Sequence, residues 1–192
     1  MTDDRPQLPP LASEEARQRA LDAGMPEVLA GPNVFRALLR HPPVAKIFSA
    51  LVEAVVFDSV LDARLREMAI LRAAWVQGST YEWASHHGIA LRLGMTDADI
   101  ASVRGGAATP GLPPAERAVF ALVDEVLDHG FAAGDTLRAA RDAVGSDEAY
   151  LELLTIAGCY PALAAILDAL EVPLDDGVAA WPPDGERPAS AR

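Results

Sequence analysis

The stretch RLREMAILRAAWVQGSTYEWASHHGIALRLG, residues 64–94, decides the fold of this chain. Apolar residues fill nearly every position from 65 to 76, and a helix that is apolar almost all round is a buried one. Asp62 is suited to cap this helix at its N-terminus, and Gly78 to adopt the left-handed conformation that ends it. A second helix then runs on to Gly94. The sequence therefore predicts a central pair of buried helices with a break at Gly78.

This helix pair carries a concentration of chemically active side chains. Glu67 lies inside the apolar run, where an unpaired carboxylate would be costly, so it needs a hydrogen-bond or charge partner. Glu82 and His86 are four residues apart and therefore share one face of the second helix. Tyr81 and His87 lie next to them in the chain. Acid and base groups gathered on two packed helices are typical of a proton-transfer site.

The composition limits the classes of function. With 192 residues and 51% hydrophobic content, the chain can bury one sizeable core, so a single domain is expected. A net charge of −12 argues against nucleic acid or an anionic membrane surface as a partner. No apolar run is long enough to cross a membrane. The first ten residues lack the apolar core of a signal peptide, so we expect a cytoplasmic protein.

Cysteine and histidine usage does not predict a metal or disulfide. The single cysteine, Cys159, excludes an internal disulfide or dithiol pair, and no cysteine and histidine have the spacing of a structural zinc site. A site formed by Glu67, Glu82, His86 and His87 has ligands that suit iron or manganese. The same spacing is that of an ion-pair network, so no metal is assigned.

Glycine and proline divide the chain into segments. The loop GGAATPGLPP, residues 105–114, separates two helical blocks, and no segment alternates as a strand does, so the predicted fold class is all-α. The two predicted blocks are residues 44–103 and 114–170. The predicted domain organisation is an N-terminal arm with a short helix at 1–32, a helical domain at 33–174 and a mobile C-terminal tail at 175–192.

Capping residues predict where other helices begin. Ser13, Asn33, Thr96 and Ser146 each precede a helical pattern and are predicted as N-terminal caps. Pro161 is predicted to kink the last long helix.

The motifs RLREMAILRAAW and YEWASHHGIALRLGMTDADI, with GPNVFRALLRHPP before them and AGCYPALAAILDALEVPLD near the end, resemble the carboxymuconolactone decarboxylase family of the AhpD-like superfamily. The resemblance extends from about residue 33 to residue 174. It implies an AhpD-like all-α fold and self-association, commonly as a trimer or hexamer, with sites near subunit contacts.

The resemblance also separates two activities. Redox members of the superfamily carry a glutamate, a CxxC pair and a histidine, which fall on Glu67, on Ser79 and Glu82, and on His86. A hydroxyl and a carboxylate cannot replace the thiolates that disulfide exchange requires. The resemblance therefore implies the fold and the Glu67–His86 pair, but not hydroperoxide reduction. Decarboxylase members place an acid/base histidine in the equivalent helix, which again falls on His86.

Catalytic roles are predicted for four residues. His86 is the acid/base group, and Glu67 orients it or acts as a base itself. Glu82 is a second carboxylate or the partner that fixes His86, and Tyr81 donates a hydrogen bond to a developing enolate.

Each of these residues also has a structural interpretation. His86 can be a satisfied helix–helix histidine, and Tyr81 a buried tyrosine whose hydroxyl is already bonded. Glu67 can instead pair with Arg64 or with Arg72 of the partner subunit.

Three further residues, His87, Trp83 and Trp75, are predicted to contribute to substrate binding. Their alternatives are a subunit contact for His87 and a place in the core or at an interface for the two tryptophans.

The predicted function is that of a lyase doing acid/base chemistry on a small carboxylated lactone or related carbonyl compound, by decarboxylation or proton transfer. This chemistry needs no cofactor, because the substrate's own carbonyl accepts the electrons. Two other functions stay open: an AhpD-like hydroperoxide-reducing protein, disfavoured without CxxC, and a non-catalytic oligomeric protein that binds a small ligand.

Overall fold

The structure is a computed structural model that describes residues 8–191, and over this range it is all-α, as predicted. Short 3₁₀ segments at Glu27–Ala30 and Val103–Ala108 and a π-helical turn at Glu53–Phe57 connect some of the helices. The α-helices are α1 Ser13–Asp22, α2 Asn33–Leu38, α3 Pro42–Val52, α4 Ala63–Gln77, α5 Thr80–Arg92, α6 Asp97–Ser102, α7 Pro114–His129, α8 Gly134–Val144 and α9 Asp147–Ala169.

The predicted central helix pair is present as α4 and α5. The Asp62 carboxylate accepts hydrogen bonds from the backbone N–H groups of Arg64 and Leu65, each at 3.0 Å. Gly78 ends α4 with φ 75° and ψ 25°, the left-handed conformation that glycine adopts without steric cost. Both signals read from the sequence are confirmed.

The two predicted helical blocks share one core. α4 packs against α5, α7 and α9, and its central side chains are almost fully buried. A second apolar cluster joins α1, α2 and the start of α3 to one side of α5 and α9. The N-terminal helices therefore cover α5 and α9, and a cavity remains between them.

Two of the four predicted caps are confirmed. Thr96 forms a capping box with Asp99, and the Ser146 hydroxyl accepts a hydrogen bond from the Ala149 N–H at 3.1 Å. Ser13 does not cap, because α1 begins at Ser13 itself. Asn33 also lies inside its helix, and its amide donates instead to two carbonyl oxygens of the C-terminal segment.

The helix α9 contains Pro161, and the Gln77 amide donates to the Pro161 carbonyl oxygen at 3.2 Å. Among residues 8–191, α9 is the one helix whose length and apolar composition alone would suffice to cross a membrane. It packs against α4, α5, α7 and α8, and 39% of its apolar stretch is buried within the described residues.

The C-terminal segment lies against the helical body, although the sequence predicts a mobile tail there. Trp181 is only 5% exposed and packs against Trp75 and Trp83. The indole N–H of Trp83 donates to the Pro182 carbonyl oxygen at 2.8 Å. Burial of one large aromatic ring outweighs the proline-rich, charged composition on which the prediction was based.

Candidate functional site

A cavity of about 380 Å³ opens between α5, α9, the N-terminal helices and the C-terminal segment. Most of its wall is apolar. Polar groups come chiefly from one side of α5, where Tyr81, Glu82, Ser85 and His86 contribute to the lining. A mostly apolar cavity with a few convergent polar groups is the usual form of a small-molecule site.

Glu67 lies behind this wall, fully buried in α4. Its Oε2 is 2.7 Å from His86 Nδ1, and its Oε1 accepts a hydrogen bond from Arg66 Nε at 3.0 Å. The predicted Glu67–His86 pair therefore forms. The alternative partners are engaged elsewhere, because Arg64 pairs with two other carboxylates and Arg72 with Asp124.

His86 connects Glu67 to the cavity. Because its Nδ1 faces an acceptor-only carboxylate, Nδ1 donates the hydrogen and Nε2 points the other way. Nε2 lies 3.5 Å from Glu82 Oε2, and this is the one polar contact of the Glu82 carboxyl among residues 8–191. The edge of the Tyr160 ring packs against the imidazole at 5.5 Å between centroids. Glu67, His86 and Glu82 thus form a line that ends at the cavity.

The electrostatics of this line favour a shared proton. Burial raises the pKa of Glu82; the charge of His86 lowers it, but the charges of Asp168 and Glu67 add to the effect of burial, and the net shift is upward. Burial by itself would lower the pKa of His86, but the Glu67 carboxylate and its hydrogen bond raise it. Burial likewise opposes the ionised form of Glu67, yet His86 and Arg66 together lower its pKa. The lowered pKa favours the ionised form of Glu67, and the raised pKa values favour the protonated forms of His86 and Glu82.

Tyr81 lines the cavity, but its hydroxyl is already bonded. It donates to Asp175 Oδ2 at 2.8 Å and accepts from the Val34 N–H at 3.0 Å. Burial raises the pKa of Tyr81 above its ordinary value. The predicted donation to an enolate would require this proton to leave Asp175, so the structural interpretation of Tyr81 describes its contacts better.

The three residues predicted for substrate binding do not line this cavity. His87 Nε2 is 3.0 Å from Asp97 Oδ1, while Trp83 packs with Trp75 at 5.0 Å between ring centroids beneath Arg104. The reason is helical geometry: Trp83 and His87 are four residues apart on a face of α5 rotated away from His86.

Several residues of the site were not predicted from the sequence. Arg66 bonds Glu67 although neighbours at i and i+1 do not share a helix face, so spacing gave no signal. Tyr160 and Asp175 reach the cavity from α9 and the C-terminal segment, far away in sequence. Arg92 also lines the cavity, and its spacing of seven residues from Ser85 was a readable signal.

The two positions that redox relatives fill with cysteines are placed differently from each other. The Ser79 hydroxyl donates to Asp168 at 3.2 Å and is fully buried, whereas Glu82 lies at the cavity beside His86. Cys159 is exposed. In the described part of the chain, no group of three or more histidine, cysteine, aspartate or glutamate side chains is arranged to hold a metal ion.

Comparison with known proteins identifies the fold. Several solved structures of proteins described as AhpD-like or peroxidase-related share this all-helical fold. Residues 42–125, which contain Glu67, Glu82 and His86, match the family model of the carboxymuconolactone decarboxylase family. The resemblance predicted from the sequence is thereby confirmed for this segment, which is similar to that family.

Three of the solved structures with this fold are described as peroxidase-related proteins or as a debrominase. A peroxidase-related protein from Ralstonia eutropha JMP134 with an alkylhydroperoxidase AhpD core has a TM-score of 0.69 and 21% identity, covering 86% of this chain and 87% of its own. The debrominase Bmp8, as a cysteine-to-alanine variant in complex with 2,3,4-tribromopyrrole, has a TM-score of 0.70 and 16% identity, and the match covers 90% of this chain and 94% of that protein. A peroxidase-related protein from Silicibacter sp. TM1040 has a TM-score of 0.69 and 15% identity, and the match covers 90% of this chain and 91% of that protein. At these identities the likeness shows the fold alone. No curated protein sequence matches the chain.

Proposed function

We propose that the protein is an acid/base enzyme that moves a proton to or from a carbon next to a carbonyl group in a small, largely apolar compound. The observation that carries this proposal is the line Glu67–His86–Glu82, which runs from a buried carboxylate to a cavity of about 380 Å³. A buried carboxylate that fixes one imidazole nitrogen leaves the other nitrogen to transfer protons.

The concrete reaction is decarboxylation of a carboxymuconolactone-type acid. The bond between the carboxylate carbon and the ring breaks, carbon dioxide leaves, and the electron pair passes into the lactone carbonyl as a dienolate. The His86–Glu82 pair then donates its proton to the ring carbon and recovers one from water. The apolar wall favours loss of carbon dioxide, because it withholds the water that stabilises a carboxylate. The family of residues 42–125 supports this choice.

A small ring fits the site. Val34, Phe35, Val56 and Ile89 offer apolar surface around the polar edge formed by Glu82 and His86. The complex of the debrominase relative with a tribrominated pyrrole supports a small cyclic compound as the ligand in this fold. That relative is similar to this chain in fold.

Thiol chemistry is not supported by the geometry. Glu82 and Ser79 stand where the redox relatives have cysteines, and neither can form the disulfide that peroxide reduction requires. Cys159 is exposed and is not among the residues that line the cavity.

The test is turnover of 4-carboxymuconolactone in deuterated water, followed by release of carbon dioxide and by deuterium at the product carbon. We expect the wild type to be active and His86→Ala to lose about 100-fold or more in kcat, the usual contribution of a general acid. Cys159→Ser is the matched control and should keep full activity. Equal turnover by wild type and His86→Ala would overturn the proposal.

If the wild type binds this lactone without turning it over, the non-catalytic ligand-binding function replaces the enzymatic one. If Cys159→Ser loses activity, a thiol participates and the acid/base assignment fails.

A further inference from the structure

A guanidinium without an acidic partner lines the cavity. Arg92 lies in the last turn of α5, and among residues 8–191 it forms no hydrogen bond or ion pair. Other arginines near the core are engaged with carboxylates: Arg64, Arg66, Arg72 and Arg104 each have one within hydrogen-bond distance. A cation at the edge of an apolar cavity is therefore free to bind an anion from solution.

The Arg92 side chain turns back along the helix towards the reactive groups. Its Nη1 lies 3.5 Å from the position that a Cβ atom would occupy on Gly88, one turn earlier. Helical side chains lean towards the N-terminus, so this direction is the expected one. Gly88 itself lines the cavity, and its missing side chain leaves the guanidinium room on that side.

This position sets the distance to the proton-transfer groups. The guanidinium is level with residue 88, so it lies roughly 3 Å along the helix axis from the level of His86 and roughly 9 Å from that of Glu82. A ligand that contacts Arg92 with one end therefore places the atoms about one ring away beside the His86–Glu82 pair. Between these ends the wall is mostly apolar, with Ser85 as a polar group on α5.

We propose that Arg92 binds the carboxylate of a small, otherwise apolar acid and so orients it in the cavity. Guanidinium groups suit carboxylates because two parallel N–H bonds match the two oxygens. The inference rests on the proposed function in one respect: the reacting carbon of the ligand is placed at the end of the cavity that holds His86 and Glu82.

The pairing also determines which carboxylate stays on the molecule. A guanidinium stabilises the carboxylate it binds, which opposes loss of carbon dioxide from that group. The carboxylate on Arg92 is therefore retained, and the bond that breaks or the carbon that gains a proton lies at the other end. A substrate that loses carbon dioxide here carries two carboxylates, and a substrate that only exchanges a proton needs one.

The experiment compares a charged probe with its neutral isostere by calorimetry on the full chain. The probes are 2-naphthoate and 2-naphthamide, which differ in charge and hardly in size. We expect the wild type to bind the acid at least about threefold more tightly than the amide, the effect of one ion pair with an exposed guanidinium at the edge of the cavity. Arg92→Met should bind both probes alike, and Arg92→Lys should keep part of the preference. Arg138→Met, on α8 and away from the cavity, is the matched control and should equal the wild type.

Equal affinity for the two probes in the wild type, failure of both to bind, or an undiminished preference in Arg92→Met would each overturn the inference. Glu82→Gln separates it from the proposed function. If Glu82→Gln keeps the acid preference while the wild type shows no turnover or deuterium incorporation, Arg92 binds carboxylates but the acid/base proposal is wrong. Turnover by a wild type that has no acid preference leaves the reaction in place and removes Arg92 from it.

Discussion

At the scale of single residues, the site is a buried chain of charges. Arg66, Glu67, His86 and Glu82 are each less than a tenth exposed, and each contacts the next. Removal of one charged group leaves its neighbour as a buried charge without a partner. The resulting loss of folding free energy is larger than the stabilisation that the intact pair provides. Substitutions that keep the shape of a side chain but remove its charge therefore test the electrostatics directly.

Glu67→Gln should lower the free energy of unfolding by about 3 kcal/mol, because Arg66 and His86 both lose their carboxylate in a buried setting. Urea unfolding at neutral pH measures the change. The exposed glutamate of α1, Glu14, supplies the control: Glu14→Gln should stay within about 0.5 kcal/mol of the wild type. Similar losses for the two variants would show that the buried chain is not electrostatically coupled.

Glu82 should make stability fall as the pH rises. The pKa of Glu82 is raised in the folded state above its ordinary value of 4.5, so from that pH upward the folded protein holds its proton more tightly than the unfolded chain. The free energy of unfolding therefore falls as the pH rises from 4.5 until it exceeds the pKa of Glu82 in the folded protein. The raised pKa of His86 acts in the same direction from 6.5 upward. Glu67, whose pKa is lowered, loses its contribution only below 4.5.

Glu82→Gln should accordingly flatten the decline in unfolding free energy measured by urea between about pH 5 and 8. It should also raise the stability at the alkaline end of this range. A decline as steep as that of the wild type would contradict the raised pKa of Glu82.

At the scale of elements, the junction between α4 and α5 depends on one glycine. Gly78 has a positive φ, and a Cβ added there would lie 2.5 Å from the backbone of Ser190 and of Ala191. Gly130 ends α7 with nearly the same φ, 77°, but a Cβ there would meet nothing within 4 Å. An alanine at either position would have to adopt the left-handed conformation. At Gly78 alone of the two, its Cβ would also collide with the backbone of the C-terminal segment.

Gly130→Ala should destabilise the protein by about 1 kcal/mol, the cost of left-handed alanine, and Gly78→Ala by clearly more. Thermal or urea unfolding of both variants measures the difference. Equal losses would mean that residues 190–191 do not pack on this junction in solution.

The helices were predictable, whereas the wall of the cavity was not. Asp62, Gly78 and Thr96 act locally through their own backbone neighbours, so their roles could be read from the sequence. The polar residues of α4, among them Arg66, Glu67 and Arg72, are spread around the helix, so no single polar face indicates its orientation. The sequence predicted that Glu67 and His86 meet because the family resemblance supplied the pairing.

Long-range contacts escaped prediction for a related reason. Tyr160 and Asp175 reach the site across more than seventy residues of sequence from His86 and Tyr81, and no periodicity connects such positions. His87, Trp83 and Trp75 were predicted to contribute to substrate binding, but none of them lines the cavity. His87 and Trp83 lie on a face of α5 rotated away from His86.

At the scale of the whole molecule, the C-terminal segment connects two sides of α5. On the cavity side, Asp175 bonds Tyr81 and Val178 contributes to the wall. On the other side, Trp181 packs against Trp83, and Arg104 forms ion pairs with two acidic residues of the segment. Trp181 has a positive φ of 53°, a conformation that costs about 1–2 kcal/mol for an ordinary residue. Burial of its ring offsets that cost.

Trp181→Ala should release the segment and lower the unfolding free energy by about 3 kcal/mol, the loss expected for a buried tryptophan. Limited proteolysis should then cut within residues 175–191, and the emission of Trp75 and Trp83 should shift to the red as water reaches them. Trp181→Phe, which keeps an aromatic ring, should be less affected. Unchanged proteolysis of Trp181→Ala would show that the other contacts hold the segment without the ring.

The central claim is that Glu67 fixes His86 Nδ1 and thereby leaves Nε2 to exchange protons at the cavity. The most direct test is nitrogen-15 NMR titration of the imidazoles, with the His86 signals assigned by their loss in His86→Asn. We predict that Nδ1 stays protonated throughout, that Nε2 titrates above the ordinary value of 6.5, and that Glu67→Gln lowers this pKa. A His86 pKa below 6.5, or one that Glu67→Gln leaves unchanged, would contradict the account.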